Sequence, residues 1–293
     1  GRAAGSPRRM AGHRQRMGHF ALSGGEDRTL LLWDLSSGES LARLEGHTDA
    51  VTCLAADWAS GLALSGSLDQ TLRLWDLHAG SCLKEFGNHG REVMCLAMDW
   101  ASSRALTAST DGAVILWGSF VLSDNPSYAI LHSHSSTVLC LAADWVAHRA
   151  VTADTKGQFR LWDLSNLDYK QLVLPSNSVR CILMSWATRR AIGGCHDGTV
   201  ATFDLDRFEL VHKVKCHGNA IRCLSVDWAS SRMITGAWKG DLRLWELDHG
   251  ELPTEMVGHN HTVFCIDAHW GLRRCITGSL NGKYGGGGLR LWE

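Results

Sequence analysis

Proline is scarce in this chain, four in 293 residues, and tyrosine scarcer at three. Thirteen tryptophans stand against those three tyrosines, so indole has a role here that phenol does not fill. A surplus of charge is also missing. The net charge is −1 with 20 % charged residues, which argues against a nucleic-acid or acidic-membrane binder, because phosphate binding needs excess Lys and Arg. No apolar run approaches the ~18 residues of a membrane helix. The basic opening GRAAGSPRRMAGHRQRM lacks an apolar core and does not read as a secretory signal. Residues 1–17 are expected to be a disordered tail or an artefact, and the chain, which begins with Gly, a fragment or processed form. Helical periodicity is absent as well. The apolar segments are about 5 to 8 residues long and bounded by Gly, Asp, Ser and Asn, the pattern of many short strands joined by tight turns.

What is present is a repeat. Cys-x4-Trp occurs in VTCLAADW, VMCLAMDW, VLCLAADW, VRCILMSW, IRCLSVDW and VFCIDAHW. Their tryptophans, Trp58, Trp100, Trp145, Trp186, Trp228 and Trp270, are spaced by 42, 45, 41, 42 and 42 residues. A second series comprises Trp33, Trp75, Trp117, Trp162, Phe203, Trp245 and Trp292. Within a unit the first series leads by 17 residues, or by 22 in the last, where LNGKYGGGG is inserted. Two series locked in phase mark one structural unit copied along the chain.

The unit GHTDAVTCLAADWASGLALSGSLDQTLRLWDL, residues 46–77, resembles a WD repeat, and the resemblance extends over residues 18–293. It implies an all-β, seven-bladed WD-repeat β-propeller of four-stranded antiparallel blades. The repeat units end near 35, 77, 119, 164, 205, 247 and 293. AVTCLAA would be the inner strand, LALSGS the second, TLRLWDL the third and SCLKEF the outer. The first blade has HFALSG and TLLLWDL but no VxCLAxDW segment, and Arg16 stands where its inner-strand Trp would be. The last ends at Trp292-Glu293. The first blade is therefore expected to lack its inner strand and the last its outer strand, as in a truncated parent sequence.

The resemblance also implies a hydrogen-bonded tetrad of His, Ser/Thr, Asp and Trp in each blade. The second blade has His47, Ser65, Asp69 and Trp75, and the third His89, Thr107, Asp111 and Trp117. Buried imidazole and indole N–H groups need partners, so the set reads as architecture rather than chemistry. The fourth blade keeps His134, Thr152 and Trp162 with Lys156 at the acid position. The sixth keeps His217, Thr235 and Trp245 with Lys239 there. The fifth retains Asp197 but has Pro175, Gly193 and Phe203, and the seventh has His259, Thr277 and Trp292.

The six inner-strand cysteines pose three alternatives: metal, redox chemistry or packing. Copies on sheets ~10 Å apart should not bridge, since a disulfide needs Cα atoms within ~7 Å. Zinc takes four ligands, not six. Packing by a small, weakly polar side chain remains. Ten reduced thiols suit an intracellular site, cytoplasmic or nuclear. The turn tryptophans read as wedges between blades or, alternatively, as an aromatic ring that docks a ligand. Asp57, Asp99, Asp144 and Asp227 read as turn caps.

No metal, cofactor or catalytic residue is expected. LNGKYGGGG lacks the order of a phosphate loop. His132 with His134, and His259 with His261, are poor metal pairs because His134 and His259 fill tetrad positions. Partner binding is sought instead where equivalent positions differ. The slot between the inner-strand Val or Ile and Cys reads Thr52, Met94, Leu139, Arg180, Arg222 and Phe264. In WD-repeat proteins it lies near the top-face rim. A patch of Arg180, Arg222, Trp238, Lys239 and Phe264, with Arg91 and Met94, would suit an acidic or aromatic peptide segment, because exposed Trp and Arg are hot-spot residue types. Against this stands a solvated rim with Trp238 packed on a neighbour. The function expected is a non-enzymatic scaffold for protein or peptide partners within a multiprotein complex, with no nucleic acid, membrane or small-molecule ligand. A substrate receptor of a cullin-type ubiquitin ligase is the alternative, weakened because WDLS, WDLH, FDLD and WELD lack the Arg of Trp-Asp-x-Arg. A propeller-based enzyme comes last.

Overall fold

The computed structural model describes residues 20–293 apart from 88, 120, 122, 124–125, 132–133, 175–177, 247–253, 257 and 281–286. The described residues form seven antiparallel sheets, each following the last in the chain. They divide into two compact units, one of residues 1–109 with 115–129 and one of 110–114 with 130–293.

The first unit holds three sheets. The first is β1 (Phe20–Gly24), β2 (Leu30–Asp34) and β3 (Glu39–Leu44). The second is β4 (Val51–Asp57), β5 (Leu62–Ser67), β6 (Leu72–Asp76) and β7 (Ser81–Phe86). The third, whose ends run past the division, is β8 (Val93–Asp99), β9 (Arg104–Ser109), β10 (Val114–Gly118) and β11 (Ser127–Leu131). The second unit holds four. They are β12 (Val138–Asp144), β13 (Arg149–Asp154), β14 (Gln158–Asp163) and β15 (Asp168–Val173); then β16 (Val179–Ser185), β17 (Arg190–Cys195), β18 (Thr199–Asp204) and β19 (Glu209–Lys215). Next come β20 (Ile221–Asp227), β21 (Arg232–Ala237), β22 (Leu242–Glu246) and β23 (Thr254–Met256). The last are β24 (Val263–His269), β25 (Arg274–Leu280) and β26 (Gly287–Trp292). The first sheet has no inner strand and the last no outer strand among the described residues, as the repeat implied.

Local chemistry sets these elements. Inner strands are rich in β-branched and small apolar residues, and four of the six end on an acid, the others on Ser185 and His269. Asp57 accepts the N–H of Ala59 at 3.1 Å, Asp144 that of Ala147 at 3.0 Å and Asp227 that of Ala229 at 3.2 Å, while Asp99 takes Ser102 N–H at 3.3 Å. These are the expected turn caps. Three residues after each turn Trp the chain turns left-handed, at Gly61, Ser103, His148, Arg189, Ser231 and Arg273, which closes the hairpin.

The buried cores lie between successive blades rather than within one. Leu30 and Leu44 of the first blade cluster with Ala63, Trp75 and Leu77 of the second. In the second unit Phe159 of β14 stacks on Phe203 of β18, centroids 4.4 Å apart at 5°. Trp58 and Trp100 pack against the clusters of the first unit, and Trp186, Trp228 and Trp270 against those of the second. They are wedges, steadied in part by cations. Arg149 lies 5.7 Å above the Trp186 ring and Arg232 5.6 Å above that of Trp270, each reaching from the preceding blade.

The register explains the cysteines. Cys53, Cys181, Cys223 and Cys265 pair with Gly66, Gly194, Gly236 and Gly278; Cys95 and Cys140 pair with alanines 108 and 153. A methyl group on Gly66 would lie 2.7 Å from Cys53 Sγ and 2.7 Å from Val93 Cγ1. Sulfur thus fills the space over a missing side chain and touches the next blade. Cys223 also donates its S–H to the Val263 carbonyl of the next inner strand, at 3.5 Å. None of the ten cysteines is in a disulfide, and burial pushes the Cys53 and Cys181 thiols up to about 12. Thiols so resistant to ionisation are poor nucleophiles and ligands.

Candidate functional site

The four residues that the resemblance implied as a tetrad meet in the second blade. His47 bonds Ser65 Oγ through Nε2 at 2.7 Å and Asp69 Oδ2 through Nδ1 at 2.8 Å, and Trp75 Nε1 donates to the same Ser65 hydroxyl at 2.8 Å. Against the burial that opposes it, the Thr71 hydroxyl, the N–H groups of Thr48 and Thr71 and the His47 ring hold the Asp69 carboxyl down at about 2. In the third blade His89 bonds Thr107 at 2.7 Å and Trp117 donates to it at 2.8 Å; Asp111 caps the turn at Ala113 N–H. The sixth blade repeats the His217–Thr235–Trp245 part, and the seventh His259–Thr277–Trp292. In the second blade every member is saturated by its neighbours, while His217 keeps its Thr235 bond with a buried Nδ1 left unpartnered among the described residues; the sets bind strands together rather than act on a ligand.

The fourth blade departs from the sequence reading. Lys156, at the acid position, is exposed, but an acid is present two residues earlier. Asp154 is fully buried, with Oδ2 3.4 Å from His134 Nδ1, and Oδ1 accepts the N–H groups of Lys156 at 3.0 Å and Gln158 at 2.8 Å. It performs the turn-closing role of Asp69 from the end of β13, where the second blade has Ser67. The available signal was the stretch TADTKG, in which an acid ends the second strand. Asp154→Ser is expected to lose about 2–3 kcal/mol in urea unfolding, from unpaired buried N–H groups and an unpaired imidazole. Asp154→Ser with Lys156→Asp, which copies the second blade, should recover most of it; equal stability of all three proteins would remove the assignment.

The fifth blade replaces the tetrad by packing. Phe203 is buried on Phe159, and the bare Cα of Gly193 makes room: a methyl there would stand 2.8 Å from Val179 Cγ1. Asp197 closes its turn on Thr199 and pairs outward with Lys213 at 3.2 Å. In the first blade Trp33 donates to Ser23 at 2.8 Å, a partial set that the spacing did not single out.

The variable slot has a structural identity that periodicity does not reveal. In all six inner strands the ladder slips between the Val or Ile and the Cys, so the slot residue is a β-bulge without a cross-strand partner. Bulges redirect side chains out of the ladder. Thr52 spends this freedom on architecture, donating to the Val93 carbonyl at 2.6 Å. Arg180, Arg222 and Phe264, bulge residues of three successive blades, behave differently. The Arg222 guanidinium lies 5.0 Å from the Phe264 ring centre, and burial together with the nearby Arg180 lowers its pKa. Arg180 donates from Nη2 to His196 Nδ1 at 3.2 Å.

Trp238 is 47 % exposed and Phe264 41 %. Trp238 opens a short 3₁₀ turn, Trp238–Gly240, and its N–H donates to Ala220 O at 3.1 Å, two residues before Arg222. Lys239 is exposed and left-handed at φ 67°. The second unit therefore brings together Arg180, Arg222 and Phe264, with Trp238 and Lys239 on the adjoining turn. Exposed Arg91 and half-buried Met94 belong to the first unit. Among the described residues no three His, Cys, Asp or Glu side chains converge as a metal-binding set, and no helix is long and apolar enough to cross a membrane. Residues 1–17 with Arg16, His132, Pro175 and loop residues 281–286 lie outside the described residues.

Repeated four-stranded sheets, with incomplete first and last members and His–Ser/Thr–Trp sets binding their strands, define a β-propeller. Residues 38–76, 80–118 and 208–246 match the WD domain, G-beta repeat family, and the chain is a WD-repeat β-propeller. Propellers of this repeat are generally protein-interaction scaffolds without enzymatic activity. Among solved structures the chain is similar to the computationally designed Ika8 protein, with 22 % identity and a TM-score of 0.72 over 94 % of this chain and 80 % of that one. At that identity the likeness shows the fold. No curated protein matches the chain.

Proposed function

We propose that this protein is a non-enzymatic scaffold that binds protein or peptide partners within an intracellular multiprotein complex, and that the patch of Arg180, Arg222, Phe264, Trp238 and Lys239 is one of its docking surfaces. The observation that carries the patch is the gathering of three successive bulge residues, two of them cations and one an exposed aromatic, beside an exposed tryptophan. Rigid strands present these groups at little entropic cost on binding. Arg and Trp are the side chains that most often dominate interface energies. Ten cysteines outside any disulfide, half of them buried, support a reducing compartment. A partner with acidic and aromatic residues suits the patch, acids toward the guanidiniums and rings toward Trp238 and Phe264.

Arg222→Ala and Trp238→Ala are expected to lose one subset of partners at least about tenfold in quantitative affinity purification, as hot-spot truncations do. Lys84→Ala, on an outer strand of the other unit, should leave that subset in place. Unchanged partner sets in both patch variants, with native circular dichroism, would sink the proposal.

A further inference from the structure

We infer that Arg180 and Arg222 form a clamp for one dianionic oxyanion, a phosphoryl monoester carried by a peptide partner. The inference rests on the docking surface proposed above and names the chemistry it recognises.

Two half-buried guanidiniums close enough to perturb each other cost free energy unless an anion compensates them. Neighbouring cations of the same blades have that compensation within the chain: Arg189 pairs with Asp206, Lys213 with Asp197, Arg232 with Asp227 and Arg243 with Glu255. Among the described residues neither Arg180 nor Arg222 lies within ion-pair distance of a carboxylate. Arg180 Nε is buried with no hydrogen-bond partner, although its Nη2 is occupied by His196. A guanidinium carries five donors in a rigid fork, so both residues have donors to spare.

The geometry holds this arrangement open. The bulges at β16 and β20 take both residues out of their ladders, and Arg180 spends only Nη2, on His196 just past β17. The Phe264 face supports the Arg222 plane at 5.0 Å and fixes its direction, which makes Phe264 a positioning residue. Ligand charge follows from site charge. Two cations balance a phosphoryl group, with about −1.5 to −2 charges and three acceptor oxygens, better than a carboxylate with one charge and two oxygens.

The test is an NMR titration of the full chain at fixed ionic strength, read on the Arg Nε–Hε resonances. The probes are acetyl-Phe-pSer-Gly-amide, its Ser and Glu counterparts, and inorganic phosphate. Saturable binding of the phosphopeptide is expected, with the Glu peptide about tenfold weaker and the Ser peptide without effect. Arg180→Gln and Arg222→Gln should each weaken it about tenfold, and Phe264→Leu by a smaller factor with both arginines intact. A Glu peptide binding as well as the phosphopeptide overturns the dianion. Inorganic phosphate binding as well as the phosphopeptide overturns the peptide-borne source. Full binding by the Gln variants overturns the clamp. Should the clamp fail while Arg222→Ala and Trp238→Ala still lose partners, the docking surface stands without it.

Discussion

Trp75→Ala is expected to lose about 3–5 kcal/mol of folding free energy, the range of buried Trp truncations, and to lower the urea midpoint accordingly. Trp75 is fully buried between the first and second blades, against Leu30, Leu44 and Val51. Its removal takes away apolar contact on both sides and opens a cavity that paired strands cannot collapse. The indole also donates to Ser65, whose hydroxyl is held by His47, which is held in turn by Asp69. Trp75→Phe isolates that part: it keeps most of the packing, drops one donor, and should lose about 1–2 kcal/mol. The fifth blade supports the division. Phe203 stands there opposite a side that has no hydroxyl, because position 193 is Gly, and aromatic stacking on Phe159 replaces the hydrogen bonds. If Trp75→Ala unfolds within about 1 kcal/mol of the parent, the packing account of the inter-blade core is wrong.

The contrast between these blades shows how far the sequence could be read. The number of repeated units follows from the 42-residue phase, because a copied unit fixes spacing along the chain; strand order and the tetrad of the second blade follow from the resemblance of that unit to a WD repeat. Compensation does not follow from phase. Asp154 reaches His134 from a different position of the hairpin, so an alignment of equivalent positions shows Lys156 and a missing acid. Only the path of the turn brings the carboxylate home. The cysteines were legible as packing, but their cause is the glycine opposite, or in two blades the alanine, which needs the strand register. The slot of Arg180, Arg222 and Phe264 was legible as variable. That it is a bulge, and that Arg222 rests on Phe264, depends on a one-residue slip in the ladder that no periodicity records.

Acid should unfold this protein well above the range where carboxylates titrate. His217 is buried, its Nδ1 has no partner among the described residues, and burial with the nearby Arg243 holds its pKa down at about 4. His134 is lowered in the same direction by burial and by Arg160, with Asp154 opposing. In the unfolded chain a histidine takes up its proton near 6.5. Between 6.5 and 4, therefore, the unfolded state binds protons that the folded state refuses, and stability falls as pH falls through that window. Each such histidine removes about 1.4 kcal/mol per pH unit, so His217 alone accounts for about 3 kcal/mol by pH 4. Asp69, held at about 2, acts in a lower window: its contribution is intact above the ordinary carboxylate value and disappears only as pH falls toward 2. Urea unfolding at pH 7.5, 6.0, 5.0 and 4.5 should show a decline that starts near 6.5. His217→Gln, less stable at pH 7.5, should decline less steeply, by about 1.4 kcal/mol per pH unit. A parent protein whose stability is flat from pH 7.5 to 4.5 would mean that these imidazoles are hydrated or protonated in the folded state, and the buried neutral tetrad would have to be abandoned.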